Sequence, residues 1–288
     1  MNTPLWLRAM RWYALHSPLQ RGSYRLALWL YQRLPVPDIE VEASLDRTLS
    51  ISLRLRIWVD YNIYCLGFYE APLARFFLRA LEPDSVILDV GAYIGQYTLL
   101  AAKYASAGQV IAFEPHPESR QRLSANVARN RLPNVTIIPG AAGESAGRMQ
   151  FALSEDGFSS GLRLTNGRGS SSIEVDVTAL DKVAQEANLP RVDVIKIDVE
   201  GAEGLVLRGA RRVLARFRPL LIVEINRQGE QMFGDTPEKI LGQLRKLGYT
   251  PHALRRDRLL PLADRAVNYE NVIAIPPPTN RAGGDTSR

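Results

Sequence analysis

Acidic residues at the ends of apolar, β-branched runs are the first chemistry visible in this chain. Asp89 ends such a run (residues 86–89) and is followed by Gly91, Ala92 and Gly95, after which an apolar segment takes helical spacing. The pattern reads as strand, tight loop, helix. Small residues in the loop let a ligand approach the backbone, and Asp89 would stand at the carboxyl end of a strand, where open parallel sheets bind ligands. A dinucleotide fingerprint would carry a third glycine and seat a pyrophosphate on the helix N-terminus; here that glycine is missing and Asp89 would repel the phosphates. A ligand with an ammonium group and no phosphate, such as S-adenosylmethionine, suits the loop better. An ordinary βα turn with a capping Asp would use the same residues.

Glu114 ends the next β-branched run and follows Gly95 by 19 residues. An acidic residue there can accept two hydrogen bonds from a vicinal diol, as on a ribose. His116 would lie near the ribose or adenine, or serve as a helix N-cap. Gly140, Ala141 and Ala142 follow the third run, where small residues would let an adenine approach or simply make a turn. The third signal is the stretch 194–203, Val-Ile-Lys-Ile-Asp-Val-Glu-Gly-Ala-Glu. Period two puts Lys196, Asp198 and Glu200 on one face, and a central parallel strand covered on both faces obliges Lys196 to find a carboxylate partner. Asp198 would face the same crevice as Asp89. Glu224 and Asn226 share a face at the end of the following run, where carboxylates and an amide could bind a divalent cation or hold a substrate hydroxyl. No metal ligand is assigned.

The elements that must position these residues follow from periodicity. Strand and helix patterns alternate from residue 86: a strand over 110–114, a helix over 117–130 with Pro117 at its first position, and a strand over 135–139. This is the βαβαβ half of a doubly wound sheet. Residues 148–177 interrupt the rhythm with two strands, 149–152 and 173–177, around a polar loop rich in Ser, Gly and Arg. Helices are then expected over 180–187, 203–217 and 236–247, and strands over 192–198, 220–225, 249–254 and 271–275. Upstream, residues 51–59 alternate as a half-exposed strand, residues 38–50 read as a connector, and residues 69–80 as a helix with Glu70 near its start. The tail from Pro276 has a disordered composition.

Residues 1–35 set Trp6, Trp12, Tyr13, Tyr24, Trp29 and Tyr31 among five arginines. Basic, aromatic helices of this kind lie on a membrane interface, cover a cleft or pack on the main domain. The net charge of +6 fits solvated basic faces, an acidic substrate or an anionic surface, and no base-reading motif supports a nucleic-acid partner. Cys65 is the single cysteine, which excludes an intrachain disulfide and a cysteine-built metal site and fits a reducing compartment. No apolar run approaches the roughly 20 residues that span a bilayer, and no compact signal-peptide pattern opens the chain. A cytoplasmic protein, with peripheral membrane contact through residues 1–35 left open, is the expectation.

Taken in order, Asp89-Val-Gly-Ala-x-x-Gly95, Phe113-Glu-Pro115, Ile195-Lys-Ile-Asp-Val-Glu-Gly-Ala-Glu203 and Val223-Glu224 resemble the FkbM family of S-adenosylmethionine-dependent methyltransferases. The likeness covers residues 67–225 and, more loosely, extends to 275. It implies an α/β fold: a Rossmann-like seven-stranded methyltransferase sheet, mostly parallel with the last strand antiparallel, helices on both faces and an N-terminal helical extension. The corresponding division is residues 1–50 as extension and connector, 51–276 as the methyltransferase domain and 277–288 as tail. It also implies O-methylation of a hydroxyl on a sugar, glycolipid or polyketide-type acceptor. Asp89, Gly91, Ala92, Gly95, Glu114 and Ala141 would bind the cofactor, and Asp198, Glu224 and Glu200, with Glu203 behind them, are candidates to take the hydroxyl proton. Two departures stand out: Ala92-Tyr93 replaces the family's common alanine-asparagine, and the first 60 residues have no match and could shape the acceptor site. The rivals are a nicotinamide-dependent oxidoreductase and a catalytically silent scaffold that docks on membranes.

Overall fold

A computed structural model describes residues 3–16, 22–153, 162–164, 172–255, 257–262 and 269–277. The chain opens with α1 (Leu5–His16), α2 (Ser23–Arg33) and a hairpin of β1 (Glu40–Leu45) and β2 (Leu49–Arg54), then α3 (Trp58–Leu66) and α4 (Ala71–Arg79). Strand and helix next alternate through β3 (Val86–Val90), α5 (Gln96–Tyr104), β4 (Gln109–Phe113), α6 (Pro117–Arg129) and β5 (Val135–Ile138). A small sheet follows, made of β6 (Ala141–Ala142), β7 (Gly147–Leu153), β8 (Leu162–Leu164) and β9 (Ser172–Thr178). The remainder is α7 (Leu180–Glu186), β10 (Val194–Ile197), α8 (Glu203–Arg208), α9 (Arg211–Phe217), β11 (Leu220–Asn226), α10 (Arg227–Met232), α11 (Pro237–Lys246), β12 (Thr250–Arg255), β13 (Arg258–Pro261) and β14 (Tyr269–Ile275).

The main sheet runs β13-β12-β14-β11-β10-β3-β4-β5. Its five strands from β11 to β5 are parallel, and β14, β12 and β13 join antiparallel. Eight strands stand where seven are expected, because the chain turns back after β12 and adds β13 as a hairpin at the edge. From β3 the chain moves outward through β4 to β5, then returns to lay β10 against the other side of β3. The order reverses between β3 and β10, so the crevice for a ligand opens at their carboxyl ends.

Apolar residues cover both faces. On one, Leu7, Met10 and Ala14 of α1 and Ala27 of α2 join a buried cluster with Ile51, Phe77, Ile87 and Leu99; on the other, residues of α7, α8, α9 and α11 pack over Leu88, Ile195 and Val223. The first two helices therefore pack on the main domain by their inner faces. Their outer faces keep large apolar side chains in solvent, with Leu5 78% and Trp12 66% exposed on α1 and Trp29 54% exposed on α2.

Several local expectations are corrected. The supposed connector contains β1, whose weak alternation of Glu40, Glu42 and Ser44 with Val41, Ala43 and Leu45 is a strand pattern, closed by a turn with positive φ at Asp46 and Arg47. The strand expected to reach residue 59 stops at Arg54, because the Asp60 carboxylate accepts the Arg54 backbone N–H at 2.7 Å and the chain bends into α3. The single helix expected over 203–217 is broken at Gly209. A Cβ there would lie 2.0 Å from the Gly143 carbonyl oxygen, the Gly209 carbonyl accepts the Asp181 N–H, and the Asp181 carboxylate accepts the Arg212 and Val213 N–H groups to start a new helix. α10, capped by Asn226, has no counterpart among the expected helices. Most of the polar loop between β7 and β9, and the tail beyond residue 277, lie outside the described residues.

Asp60 is fully buried in α3 and ties three elements together. It accepts from Tyr93 Oη at 2.8 Å in the loop after β3 and pairs with the Arg122 guanidinium of α6. Removing one member of a buried ion pair leaves the other charge uncompensated. The Asp60→Asn protein should therefore lose about 3 to 5 kcal/mol of stability in urea unfolding. A loss under about 1 kcal/mol would deny the pair its structural role.

Candidate active site

Register sets the first contact. Asp89 of β3 and Lys196 of β10 are paired neighbours at the point where the strand order reverses. Both are buried. Thr98 Oγ1 donates to Asp89 Oδ2 at 2.5 Å, while Oδ1 is buried with no hydrogen-bond partner among the described residues. Lys196 Nζ donates to Asp198 Oδ2 at 2.7 Å and sits 4.7 Å from the centroid of the Tyr97 ring. Burial works against the ammonium, yet Asp198, Asp89 and Glu70 together hold Lys196 above the ordinary lysine range. Burial likewise pushes Asp89 up, with Lys196 and Thr98 pulling the other way. The carboxylate partner required for Lys196 is thus present.

The glycine loop is shaped first by the protein itself. Gly91 has φ +86, and a Cβ there would lie 1.8 Å from the Asp198 carbonyl oxygen; Gly95 has φ +99 and backs onto Leu123. Both demands come from the chain rather than from a ligand. The N–H groups of Gly91 and Ala92 donate to the Phe113 carbonyl at 3.0 and 2.9 Å, stitching the loop to the end of β4. Tyr93, the departure from the family pattern, turns its ring inward to Asp60, and its backbone N–H donates to Glu114 Oε2 at 2.7 Å. Glu114 Oε1 accepts the His116 N–H at 2.8 Å. Burial pushes the Glu114 carboxyl up to about 8 against these two backbone donors. His116 is the N-cap of α6, its Nδ1 accepting from Ser119 N–H at 3.2 Å. Ala141 packs with Phe151, Val175 and Val177 in the core of the small sheet.

Beyond β10 the chain makes a tight excursion. Glu200 has φ +56 and Gly201 φ +113, and a Cβ on Gly201 would lie 2.2 Å from the Gly229 carbonyl carbon. Glu203 fastens this turn: it is fully buried, and its Oε1 accepts the N–H groups of Val199 and Gly201 at 3.0 and 3.2 Å. Its Oε2 is buried with no hydrogen-bond partner among the described residues. Glu224 of β11 lies opposite Asn271 of β14 in the ladder. Asn226 instead caps α10 through the Gln228 N–H. Among the described residues no group of three or more His, Cys, Asp or Glu side chains is placed to hold a metal ion, so the divalent cation considered for Asp198, Glu224 and Asn226 has no support.

Residues without a motif complete the site. Glu70 Oε1 accepts from Asn271 Nδ2 at 2.6 Å, and Asp198 and Lys196 act on the Glu70 charge. Glu224 and Asp198 both act on the neighbouring Tyr69. Gln96 grips the Tyr69 backbone from both sides, accepting its N–H at 2.7 Å and donating to its carbonyl at 3.0 Å. The Tyr97 hydroxyl is buried and unpartnered among the described residues. The one signal for Asn271 is a polar residue heading the otherwise apolar run Val272, Ile273, Ala274, Ile275.

With this geometry in hand, residues 89–251, more than half of the chain, match the methyltransferase FkbM domain. The chain belongs to the FkbM methyltransferase family. Relatives of this FkbM-type chain include the hexuronic acid methyltransferase AglP of Haloferax volcanii, 33% identical over 54% of this chain and 62% of AglP. The AMB antimetabolite synthetase AmbE of Pseudomonas aeruginosa is 30% identical over 64% of this chain and 10% of AmbE. The chain thus spans less than two thirds of either relative. The crystal structure of methyltransferase FkbM from Methylobacillus flagellatus KT superposes with a TM-score of 0.44 at 18% identity, covering 92% of this chain and 60% of that one.

Burial pushes Glu203 up to about 8, from an ordinary glutamate value of 4.5, against its backbone donors. The native state therefore keeps a proton that the unfolded chain has lost, and this contribution to stability is complete below the unfolded value and lost as pH rises through about 8. Urea unfolding of the Glu203→Gln protein should show a shallower decline between about pH 5 and pH 8, by up to about 1.4 kcal/mol per pH unit. An unchanged slope would mean that Glu203 is ionised in the native state.

Proposed function

We propose that the chain transfers a methyl group from S-adenosylmethionine to a hydroxyl of a sugar, glycolipid or polyketide-type acceptor. The observation that carries this reading is Asp89 Oδ1, an acceptor buried without a partner at the strand-order reversal, beside a loop whose other end is tied to Glu114. An orphaned carboxylate oxygen is costly, and an ammonium-bearing ligand would satisfy it. Asp89 would hold the methionine end. Glu114, with each oxygen already oriented by one backbone N–H, keeps lone pairs for a vicinal diol. Gly91, Ala92 and Gly95 give the loop its path between them, and Ala141 is the more distant candidate beside the adenine.

When bound, S-adenosylmethionine supplies an activated sulfonium methyl group. The protein's part is to align the acceptor, exclude water and accept the hydroxyl proton. Asp198, Glu224 and Glu200 are the sequence-derived candidates for that acceptor side. The name of the AglP relative favours a hexuronic acid or similar glycan over other hydroxyl compounds. Family membership speaks against the nicotinamide-dependent oxidoreductase.

Peripheral membrane contact belongs to the same proposal. Exposed Leu5, Trp12 and Trp29 stand with exposed Arg8, Arg25 and Arg33 on the outer faces of α1 and α2, a combination suited to an anionic lipid surface, and no helix among the described residues is long and apolar enough to cross a membrane. The lone, buried Cys65 supports a reducing, cytoplasmic setting.

Calorimetric titration with S-adenosylmethionine and S-adenosylhomocysteine tests the cofactor assignment. Both should bind the wild-type protein, and Asp89→Ala and Glu114→Ala proteins with native circular dichroism should each bind at least about tenfold more weakly, roughly one charge-assisted hydrogen bond. A folded wild-type protein that binds neither compound would remove the methyltransferase reading and leave the membrane-docking scaffold.

A further inference from the structure

We propose that Glu70, oriented by Asn271, is the general base that takes the proton of the acceptor hydroxyl. The inference rests on the methyl-transfer reading and names a residue that none of the motifs contains.

Three observations converge on Glu70. The first is its backbone. Glu70 has φ +51 and ψ +51 at the N-cap position of α4, a left-handed conformation that costs a non-glycine residue about 1 kcal/mol or more and persists only where the surroundings fix it. Here Gln96 fixes it by clamping the N–H and carbonyl of Tyr69 immediately before. The conformation has no role in helix capping, since the Glu70 side chain makes no cap bond to α4.

The second is where the side chain goes instead. It crosses to β14, 201 residues away, and accepts through Oε1 from Asn271 Nδ2 at 2.6 Å. Oε2 makes no hydrogen bond among the described residues, and Glu70 retains partial exposure. One oxygen is held and the other keeps its capacity to accept a proton, which is what a positioned base requires.

The third is the charge around it. Lys196 of β10 and Asp198 just beyond its end act on Glu70 with opposite effects, Tyr69 adjoins it in sequence, and its charge is felt by Tyr97 of α5. Glu224 of β11 lies across the ladder from Asn271. Burial first, then Asp198, push the Glu70 carboxyl up to about 7, with Lys196 and Asn271 opposing. A base near neutrality combines the deprotonated form with a useful affinity for the proton. Asp198, by contrast, is bonded directly to the Lys196 ammonium.

In the transfer the acceptor oxygen forms its bond to the methyl carbon as the carbon–sulfur bond breaks. The electron pair of that bond leaves on sulfur, giving the neutral thioether, and the hydroxyl proton passes to Glu70 Oε2. Asn271 is a positioning residue that stabilises the ionised form by donating to Oε1.

The test uses full-length protein labelled with [δ-13C]glutamate and saturated with S-adenosylhomocysteine. Glu114, Glu203 and Glu230 are also pushed toward or above neutrality, so several carboxyl resonances should titrate there; one of them should be absent from Glu70→Gln and move to higher pH in Asn271→Ala, while both variants keep S-adenosylhomocysteine affinity within about twofold, a difference too small to signal a lost contact. Turnover of S-adenosylmethionine with methyl glucuronide and related glycosides should give a wild-type kcat that rises with pH and levels near neutrality. In Glu70→Gln kcat should fall by about 100-fold or more and lose that inflection with KM for S-adenosylmethionine unchanged, and Glu70→Asp should recover part of the rate. A Glu70 resonance that titrates in the ordinary carboxylate range, or a Glu70→Gln protein with wild-type kcat and pH profile, would overturn the proposal while leaving the cofactor assignment intact. Failure of the wild-type protein to bind S-adenosylhomocysteine would instead overturn the methyl-transfer reading and Glu70 with it.

Discussion

A buried ammonium at the centre of the sheet is the constraint around which the rest is arranged. Lys196 lies between β3 and β11, next to Asp89 in register and bonded to Asp198, with the Tyr97 ring against it. An uncompensated lysine in that position would cost several kcal/mol, so the surrounding carboxylates are a condition of folding before they are a condition of chemistry. The compensation is unequal. Asp198 is in direct contact, whereas Asp89 and Glu70 act through space, which leaves Asp89 Oδ1 and Glu70 Oε2 with capacity for other partners. A single cation thus draws carboxylates to the crevice and neutralises only part of what each can do.

The same economy of contact holds the loops. Gly91 presses its α-carbon against the Asp198 carbonyl, and Gly201 presses against Gly229, so the turns after β3, β10 and β11 are packed backbone to backbone. The N-terminal region takes part in this. Asp60 reaches the glycine loop through Tyr93 and reaches α6 through Arg122, and Tyr24 of α2 lies close enough to raise the cost of ionising Tyr69. The residues upstream of the family match are therefore coupled to both sides of the crevice, the Tyr93 side near Glu114 and the Tyr69 side near Glu70.

Much of the site was legible because it is local. Asp89, the loop glycines and Glu114 are recognisable from spacing, and Lys196 from the principle that a central strand cannot leave a charge alone. Boundaries failed where a distant partner outweighed local pattern. The helix over 203–217 keeps its apolar period, yet Asp181 and Gly143, far earlier in the chain, break it at Gly209. Glu203 closes the 194–203 stretch and fastens its own loop, a role that follows from Val199 and Gly201 lying within its reach. Glu70 carried no signal and Asn271 only that of a polar residue heading an apolar run, and nothing in sequence joins the two, because the contact exists only once β14 is paired with β11.

Acidic residues in this chain divide by what their oxygens already accept. Glu203 holds two backbone N–H groups on one oxygen, and Glu114 holds one on each, so both are fixed in place and both are pushed up by burial. Fixed oxygens suit geometry: Glu114 can present remaining lone pairs to hydroxyls at a defined angle, and Glu203 can define a turn. Asp198 is fixed by its direct contact with the Lys196 ammonium. Glu203 Oε2 is without a partner among the described residues but is fully buried; Glu70 differs in being only partly buried, with one oxygen oriented by the neutral Asn271 side-chain amide. Proton acceptance requires residual basicity, and hydrogen-bond donation by a neutral partner preserves more of it than an ion pair does. The pairing of β14 with β11 thus brings Asn271 to Glu70, and the pairing of β3 with β4 brings Glu114 to the glycine loop, so sheet register decides which donors each carboxylate meets.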